Sequence, residues 1–112
     1  MAEYSSDQLD KVFHALADPT RRAMLRNLAR RQCSVGELAA PFTISLAAAS
    51  KHIKVLEQAG LVHRLVQGRT HICRLDARPL HESAQWIRYY EQFWTDSLDA
   101  LETALQQEDH DE

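Results

Sequence analysis

Apolar residues recur at helical spacing through the first half and the last third of this chain. Between these regions lie two short runs with the pattern of β-strands. The most informative helical stretch is bounded by Ser45, a favourable N-cap residue, and Gly60, a residue typical of the position after a helix end. Its predicted buried stripe consists of Leu46, Ala49, Ile53 and Leu56. Its opposite face consists of Ala47, Ala48, Ser50, Lys51 and Lys54.

The segments on either side of this helix predict its structural context. Upstream, Ser34 and Glu37 have the spacing of a capping box and predict a short helix that ends at Pro41. A short helix, a tight turn and a second helix form a helix-turn-helix unit. Downstream, residues 61–66 and 70–75 are β-rich runs that flank a turn at Gly68. A hairpin in this position is a wing, so the pattern predicts a winged helix.

The exposed face of the helix has the side chains that a helix in a DNA major groove needs. Small residues permit close approach, hydroxyls bond phosphates or base edges, and cations neutralise phosphates. The alternative is an ordinary amphipathic helix with solvated lysines. On the DNA-binding hypothesis, the residues facing base edges are Ser45, Ala47, Ala48, Ser50 and Lys51. The residues contacting phosphates are Lys54, Arg64 and Arg69, with Arg69 entering the minor groove as an alternative, and His52 and Thr70 complete the predicted interface.

The distribution of charge supports DNA binding, although the net charge of −3 does not. Residues 21–78 contain eleven Lys or Arg side chains and three acids, whereas residues 79–112 contain one Arg and nine acids. A basic middle with an acidic end is typical of a localised nucleic-acid footprint. The second hypothesis, a winged helix that serves as a protein–protein adaptor, does not account for the concentration of cations.

The end of the chain predicts one long helix over residues 79–106, followed by an acidic tail over residues 107–112. Its large apolar side chains exceed what a monomer usually exposes, so we expect a second copy to cover them. An aromatic ligand pocket is the alternative. The predicted dimerisation residues are Leu9, Phe13, Trp86, Tyr90, Phe93, Trp94, Leu98 and Leu101.

Three segments together resemble the ArsR/SmtB family of bacterial transcriptional repressors. They are the Ala-Asp-Pro-Thr-Arg-Arg run from Ala17, the Val-x-Glu-Leu-Ala run from Val35, and the Ser-Lys-His-Ile-Lys-Val-Leu run from Ser50. The resemblance covers roughly residues 9–101. It implies a mainly α, dimeric winged helix-turn-helix of order α-α-α-α-β-β-α, which binds a double-stranded DNA operator as a homodimer. It also implies that a metal or another small effector often sets the operator affinity.

The residues that bind metals in the family are missing from this sequence. Metal-sensing members carry a Cys-x-Cys pair where this chain has Ser34 and Gly36. In a second family site, counted from His81, the other ligand places hold Pro79, Gln92 and Thr95. We therefore expect no metal site and no cofactor, and the identity of any small-molecule effector is open.

The two cysteines and the remaining motifs bound the function class. Cys33 and Cys73 do not form a disulfide framework, and a redox pair is an open alternative, as is a sensor repressor responding to metal or oxidation. No glycine-rich phosphate loop, nucleophile elbow or His-Glu-x-x-His motif occurs, so we expect no enzyme. The length predicts a single winged-helix domain over residues 1–106. No leader or membrane segment is apparent, so we expect a cytoplasmic protein that does not bind membranes.

Overall fold

The computed structural model describes the backbone of residues 6–110 and the side chains of residues 7–108. Its elements in chain order are α1 (Ser6–Leu16), α2 (Pro19–Arg30), β1 (Cys33–Ser34), α3 (Val35–Ala39), α4 (Leu46–Gln58), β2 (Val62–Gln67), β3 (Thr70–Leu75), α5 (Arg78–Arg88) and α6 (Glu91–His110). Contacts divide the chain into two compact units, Met1–Glu82 and Ser83–Glu112. No helix in the described part of the chain is long and apolar enough to cross a membrane.

Capping residues fix the helix starts, and the two caps predicted from the sequence, at Ser34 and Ser45, are confirmed. The Asp18 carboxylate accepts a hydrogen bond from the backbone N–H of Arg21 at 3.0 Å, which lowers the pKa of Asp18, and Pro19 occupies the first helical position of α2. Ser34 and Glu37 form the complete capping box at the start of α3. The helix-turn-helix of the first unit is therefore α3 followed by α4.

The wing is present and belongs to a larger sheet than the sequence predicted. β2 and β3 pair antiparallel with Gln67 opposite Thr70, and Gly68 occupies the turn with a φ of 63°. The short strand β1 was not predicted; it pairs with the other edge of β3, so the strand order is β1-β3-β2. This strand connects α2 to the capping box of α3, and it joins the wing to the helix-turn-helix by backbone hydrogen bonds.

The core of the first unit confirms the buried stripe of α4 except at its first residue. Ala49, Ile53 and Leu56 are fully buried, together with Met24 of α2. Leu46 was predicted to be buried with them, but it is 62% exposed. The reason is geometric: side chains tilt towards the N-terminus of their helix, so a residue in the first turn points beyond the helix end. The prediction for Leu46 was wrong.

The expected single helix over residues 79–106 is interrupted at Tyr89 and Tyr90. The N–H of Tyr90 donates to the carbonyl of Ile87 at 3.0 Å, a bond over three residues instead of the four of an α-helix. Arg88 ends α5 and Glu91 begins α6. Each charge lies at the helix end that favours it, so the break had an electrostatic signal in the sequence that the apolar periodicity concealed.

The acidic tail expected from residue 107 is also partly helical. α6 continues to His110, since Gln106, Gln107 and Glu108 are all good helix formers. The predicted tail residues Asp111 and Glu112 lie outside the described residues.

Candidate nucleic-acid interface

The outward face of α4 combines small and cationic side chains. Ala47, Lys51 and Lys54 are exposed, while Ala48 and Ser50 are half-buried. None of these residues belongs to the buried core of the first unit. This face therefore presents the groups that the sequence assigned to base edges and phosphates.

The first turn of α4 is fixed by its cap. The Ser45 hydroxyl, exposed to solvent, accepts a hydrogen bond from the N–H of Ala48 at 3.0 Å. A hydroxyl that accepts one bond retains its own proton as a donor. Ser45 is therefore able to cap the helix and to donate outwards at the same time.

The wing lies beside α4 and forms a groove with it. Arg69 and Thr70 are exposed at the tip of the hairpin. Together with Ser50, Arg64 and Leu46, they border a groove of about 380 Å³ between the helix and the wing. A second groove, of about 560 Å³, follows α4 towards its C-terminus. The structure thus brings residues from three predicted elements onto one surface.

Leu46 is a candidate interface residue that the sequence assigned to the core. It is 62% exposed and borders the groove between α4 and the wing. Apolar side chains in a major groove contact the methyl group of thymine. The signal that could have identified Leu46 is its position directly after the N-cap residue Ser45, where a side chain extends past the core.

Arg64 is placed differently from the other predicted cations. Its Nη2 lies 2.6 Å from Oε1 of Glu57, a residue in the last turn of α4. The Arg64 side chain is 23% exposed and that of Glu57 is 31% exposed. The sequence assigned Arg64 to phosphate contact without considering Glu57, since the two residues lie on different elements.

His52 has one ring nitrogen directed into the protein. Its Nδ1 lies 3.2 Å from Nη1 of Arg21 and 4.0 Å from Oδ2 of Asp18. Because a guanidinium only donates, Nδ1 acts as the acceptor in this contact. His52 therefore contributes to the attachment of α4 to the start of α2, whatever it contacts on its outer side.

The arginines at the start of α2 are engaged within the protein. Arg21, a buried residue, donates from Nε to the carbonyl of Ala15 at 2.8 Å and from Nη2 to the carbonyl of His14 at 2.9 Å. Arg22 donates to the carbonyl of Leu16 at 2.7 Å. The last carbonyls of a helix have no partner within it, so these two side chains complete the C-terminus of α1.

An acidic residue ties the base of the wing to the start of α5. Oδ2 of Asp76 lies 2.7 Å from Nε2 of His63 on β2 and 2.7 Å from Nη2 of Arg78. The hydrogen bonds from Arg78, and then that from His63, hold the pKa of Asp76 far below its ordinary value. Asp76 therefore connects the start of β2 to the residues that follow β3 and begin α5.

The cysteines and the candidate metal ligands have distinct surroundings. Cys33 and Cys73 are directly opposite each other in the pairing of β1 with β3, and both are buried. Burial raises the pKa of the Cys73 thiol. Within residues 7–108, no three His, Cys, Asp or Glu side chains are grouped so that they could hold a metal ion.

Comparison with known proteins finds relatives of this chain, and one of them matches nearly its whole length. A family model described as a helix-turn-helix domain matches residues 16–64. The HTH-type transcriptional regulator Rv2034 of Mycobacterium tuberculosis is 36% identical over 111 residues, which cover 99% of each chain. The transcriptional repressor SdpR of Bacillus subtilis is 32% identical over 79 residues, which cover 70% of this chain and 88% of the repressor.

Solved structures have the same fold. One ArsR family transcriptional regulator, RHA00566, superposes with a TM-score of 0.77 and 40% identity over 85% of this chain and 97% of its own. The homodimeric winged helix-turn-helix DNA-binding domain Mb0332 of Mycobacterium bovis, a possible ArsR-family regulator, has a TM-score of 0.59 and 25% identity over 88% of this chain and 94% of its own. These likenesses and the geometry of α3, α4 and the wing agree. The chain belongs to the ArsR/SmtB family of winged helix-turn-helix, DNA-binding transcriptional regulators.

Proposed function

We propose that the protein is a dimeric repressor that binds a palindromic operator in duplex DNA. The observation that carries this proposal is the continuous surface formed by the outward face of α4 and the tip of the wing. Bound near a promoter, such a dimer would exclude RNA polymerase. The name of the relative SdpR, a transcriptional repressor, supports repression over activation.

The proposed division of labour follows from side-chain type and exposure. Ser45, Ala47, Ala48, Ser50 and Lys51 face base edges in the major groove. Lys54 and Arg69 contact phosphates, because both are exposed cations at the borders of the surface. Thr70 and the outer side of His52 add polar contacts to the backbone. Leu46 adds apolar contact at the N-terminus of α4.

The second unit supplies the proposed dimer interface. The apolar side chains of α6 are exposed along its whole length: Phe93 57%, Trp94 44%, Leu98 59%, Leu101 56% and Leu105 54%. A face of this extent is larger than scattered surface hydrophobes explain, so a second copy is the partner we propose. Trp86, Tyr90, Leu9 and Phe13 complete the interface as the sequence predicted it. The homodimeric state of the Mycobacterium bovis domain agrees.

Dimerisation sets the form of the DNA site. Two recognition helices related by a twofold axis contact half-sites about one helical turn apart, ~34 Å, so the operator is an imperfect palindrome. We assign DNA binding to the first unit, and dimerisation to the second unit together with Leu9 and Phe13 of α1. On this proposal, the single domain expected over residues 1–106 comprises both functions.

The decisive experiment is selection of bound duplexes from a random pool, followed by a salt titration on the selected site. Lys54 and Arg69 provide four phosphate-neutralising cations per dimer. With about −0.9 per phosphate, the logarithm of affinity should fall with the logarithm of salt concentration with a slope of about −3.6. Affinity should therefore fall roughly 10²-fold between about 50 and 200 mM salt.

The selected consensus should contain inverted half-sites. Enrichment of no duplex, or a salt-independent affinity, would contradict the proposal and favour the adaptor hypothesis. Single half-sites without an inverted partner would retain DNA binding and exclude the twofold arrangement.

A further inference from the structure

Arg64 joins the recognition helix to the wing. It is the third residue of β2, and its side chain reaches Glu57 in the last turn of α4, with 2.6 Å between Nη2 and Oε1. In the register of the hairpin, Arg64 stands opposite the buried Cys73, on the face of the sheet that meets the core. The guanidinium is thus held on the inner side of the wing.

The surroundings of Arg64 distinguish it from a phosphate-binding arginine. Its Nε is buried and has no hydrogen-bond partner among the described residues. A buried Nε cannot donate to a phosphate outside the protein, so a phosphate contact would have to come from the two Nη atoms, of which Nη2 is bonded to Glu57. Arg69, by comparison, is exposed at the tip of the hairpin and makes no such pair. The cation of Arg64 is already neutralised by a carboxylate at a distance typical of a strong charge-assisted hydrogen bond.

The position of the pair links the two surfaces that contact DNA. Arg64 borders both grooves of the interface, the one along α4 and the one between α4 and the wing. Along the chain, α4 and β2 are joined at Gly60 and by the bond from the N–H of Leu61 to the carbonyl of Leu56 at 3.0 Å. The ion pair between Arg64 of β2 and Glu57 in the last turn of α4 is a second, lateral connection between the two elements.

We propose that Arg64 and Glu57 form a positioning pair that fixes the angle between the recognition helix and the wing, and that neither residue contacts DNA. This inference rests on the proposed function, because only DNA binding requires the two surfaces to act together. Electrostatic repulsion alone predicts that the negative charge of Glu57, on the recognition helix, weakens the binding of DNA. A positioning pair predicts the opposite, because the charge of Glu57 holds Arg64 and thereby promotes binding.

The direction in which one substitution changes the operator affinity tests the proposal. Glu57→Gln removes a negative charge beside the DNA and frees Arg64. If Arg64 were a phosphate ligand, this change would raise operator affinity. With a positioning pair, the fraction of protein in the binding-competent arrangement falls, and the apparent affinity falls in proportion, by about three- to tenfold. The matched control is Asp10→Asn in α1, which changes the net charge equally at an exposed residue outside the proposed DNA-binding surface.

The salt dependence of Arg64→Gln gives a second, independent result. Loss of a phosphate contact reduces the slope against salt by about 0.9 per contact, thus by about 1.8 per dimer. We expect Arg69→Gln to show this reduction and Arg64→Gln to lose affinity with an unchanged slope. The double variant Glu57→Arg with Arg64→Glu exchanges the two charges. On a logarithmic scale, it should recover at least half of the operator affinity that Arg64→Gln loses. Raised affinity in Glu57→Gln, or a reduced slope in Arg64→Gln, would overturn the proposal.

A measurement without DNA separates this proposal from the proposed function. NMR order parameters of the wing amides, at Gln67 to Arg69, should fall in Glu57→Gln and remain at wild-type values in Asp10→Asn. Unchanged order parameters would contradict the positioning role even if the protein binds its operator. Failure of the wild type to bind any duplex would contradict the proposed function, and the order parameters would still report on the pair.

Discussion

Replacement of Arg21 by alanine should destabilise the protein far more than the same replacement of its neighbour Arg22. The two residues are adjacent in sequence and both donate hydrogen bonds to the C-terminal carbonyls of α1. They differ in burial, since Arg21 is 9% exposed and Arg22 is exposed. Water can replace Arg22 as the partner of the Leu16 carbonyl, but it cannot easily reach the carbonyl of the fully buried Ala15.

The expected magnitudes follow from these contacts. An acceptor that is left buried without a partner costs about 1–3 kcal/mol, and the partly buried carbonyl of His14 adds about 1 kcal/mol. Arg21→Ala should therefore lower the free energy of unfolding by roughly 2–4 kcal/mol. Arg22→Ala removes one exposed hydrogen bond and should cost about 1 kcal/mol or less. Arg21→Lys keeps the charge but loses the planar fork that spans two carbonyls and His52, so it should recover less than half of the loss.

Urea unfolding of the three variants, followed by far-UV circular dichroism, measures these differences. All samples need the same protein concentration, because the stability of a dimer depends on it. With a slope of about 2 kcal/mol per molar urea, Arg21→Ala should shift the midpoint by roughly 1–2 M. Equal midpoints for Arg21→Ala and Arg22→Ala would refute the argument that burial of the carbonyls decides the cost.

Four further outcomes are expected. Lys51→Ala should lose discrimination of about 1–3 kcal/mol at one base pair per half-site, whereas Arg69→Ala should weaken all sequences alike; identical profiles over single-base variants would contradict both roles. Trp94→Ala should weaken the dimer in sedimentation, with Glu102→Ala on the same helix as control, and a monomeric wild type at low micromolar concentration would exclude the interface. Because the folded pKa of Asp76 is lowered, its contribution to stability is present above its unfolded pKa of about 4 and is lost as the pH falls below it; wild type should lose more stability than Asp76→Asn between pH 6 and 3. Micromolar zinc should change operator affinity less than about tenfold, that is about 1.4 kcal/mol of coupling, relative to chelator.

The parts of the fold that were predictable from sequence depend on short-range interactions. Capping boxes act over three residues and glycine turns over four. The ends of helices and strands are therefore identifiable without reference to the rest of the chain, as at Ser34 with Glu37, at Ser45, and at Gly68 in the hairpin. The helix-turn-helix and the wing follow directly from these boundaries. The same reasoning predicts the proposed DNA-binding surface, because α4 buries only one face.

The features that escaped prediction depend on partners far along the chain. β1 has two residues and no pattern of its own, and it exists because β3 offers a free edge forty residues later. This pairing also places Cys33 opposite Cys73, although the two cysteines are forty residues apart in the sequence. Glu57 and Arg64 lie seven residues apart on a helix and a strand, so neither helical nor strand periodicity relates them. Sequence periodicity indicates which side of a helix or strand is buried. It does not indicate which residues of two different elements contact each other in the folded chain.

The number of cations in the basic middle of the chain also cannot be converted into DNA contacts from the sequence alone. Residues 21–78 contain eleven cations. Five are engaged within the protein, namely Arg21, Arg22, Arg31, Arg64 and Arg78. The others, Arg26, Arg30, Lys51, Lys54, Arg69 and Arg74, have no hydrogen bond or ion pair with the part of the chain that the structure describes. A cation that completes a helix end or neutralises a carboxylate releases no counterion from DNA. The sequence count therefore overstates the electrostatic contribution to binding, and the salt dependence should correspond to the unengaged cations beside α4 and the wing.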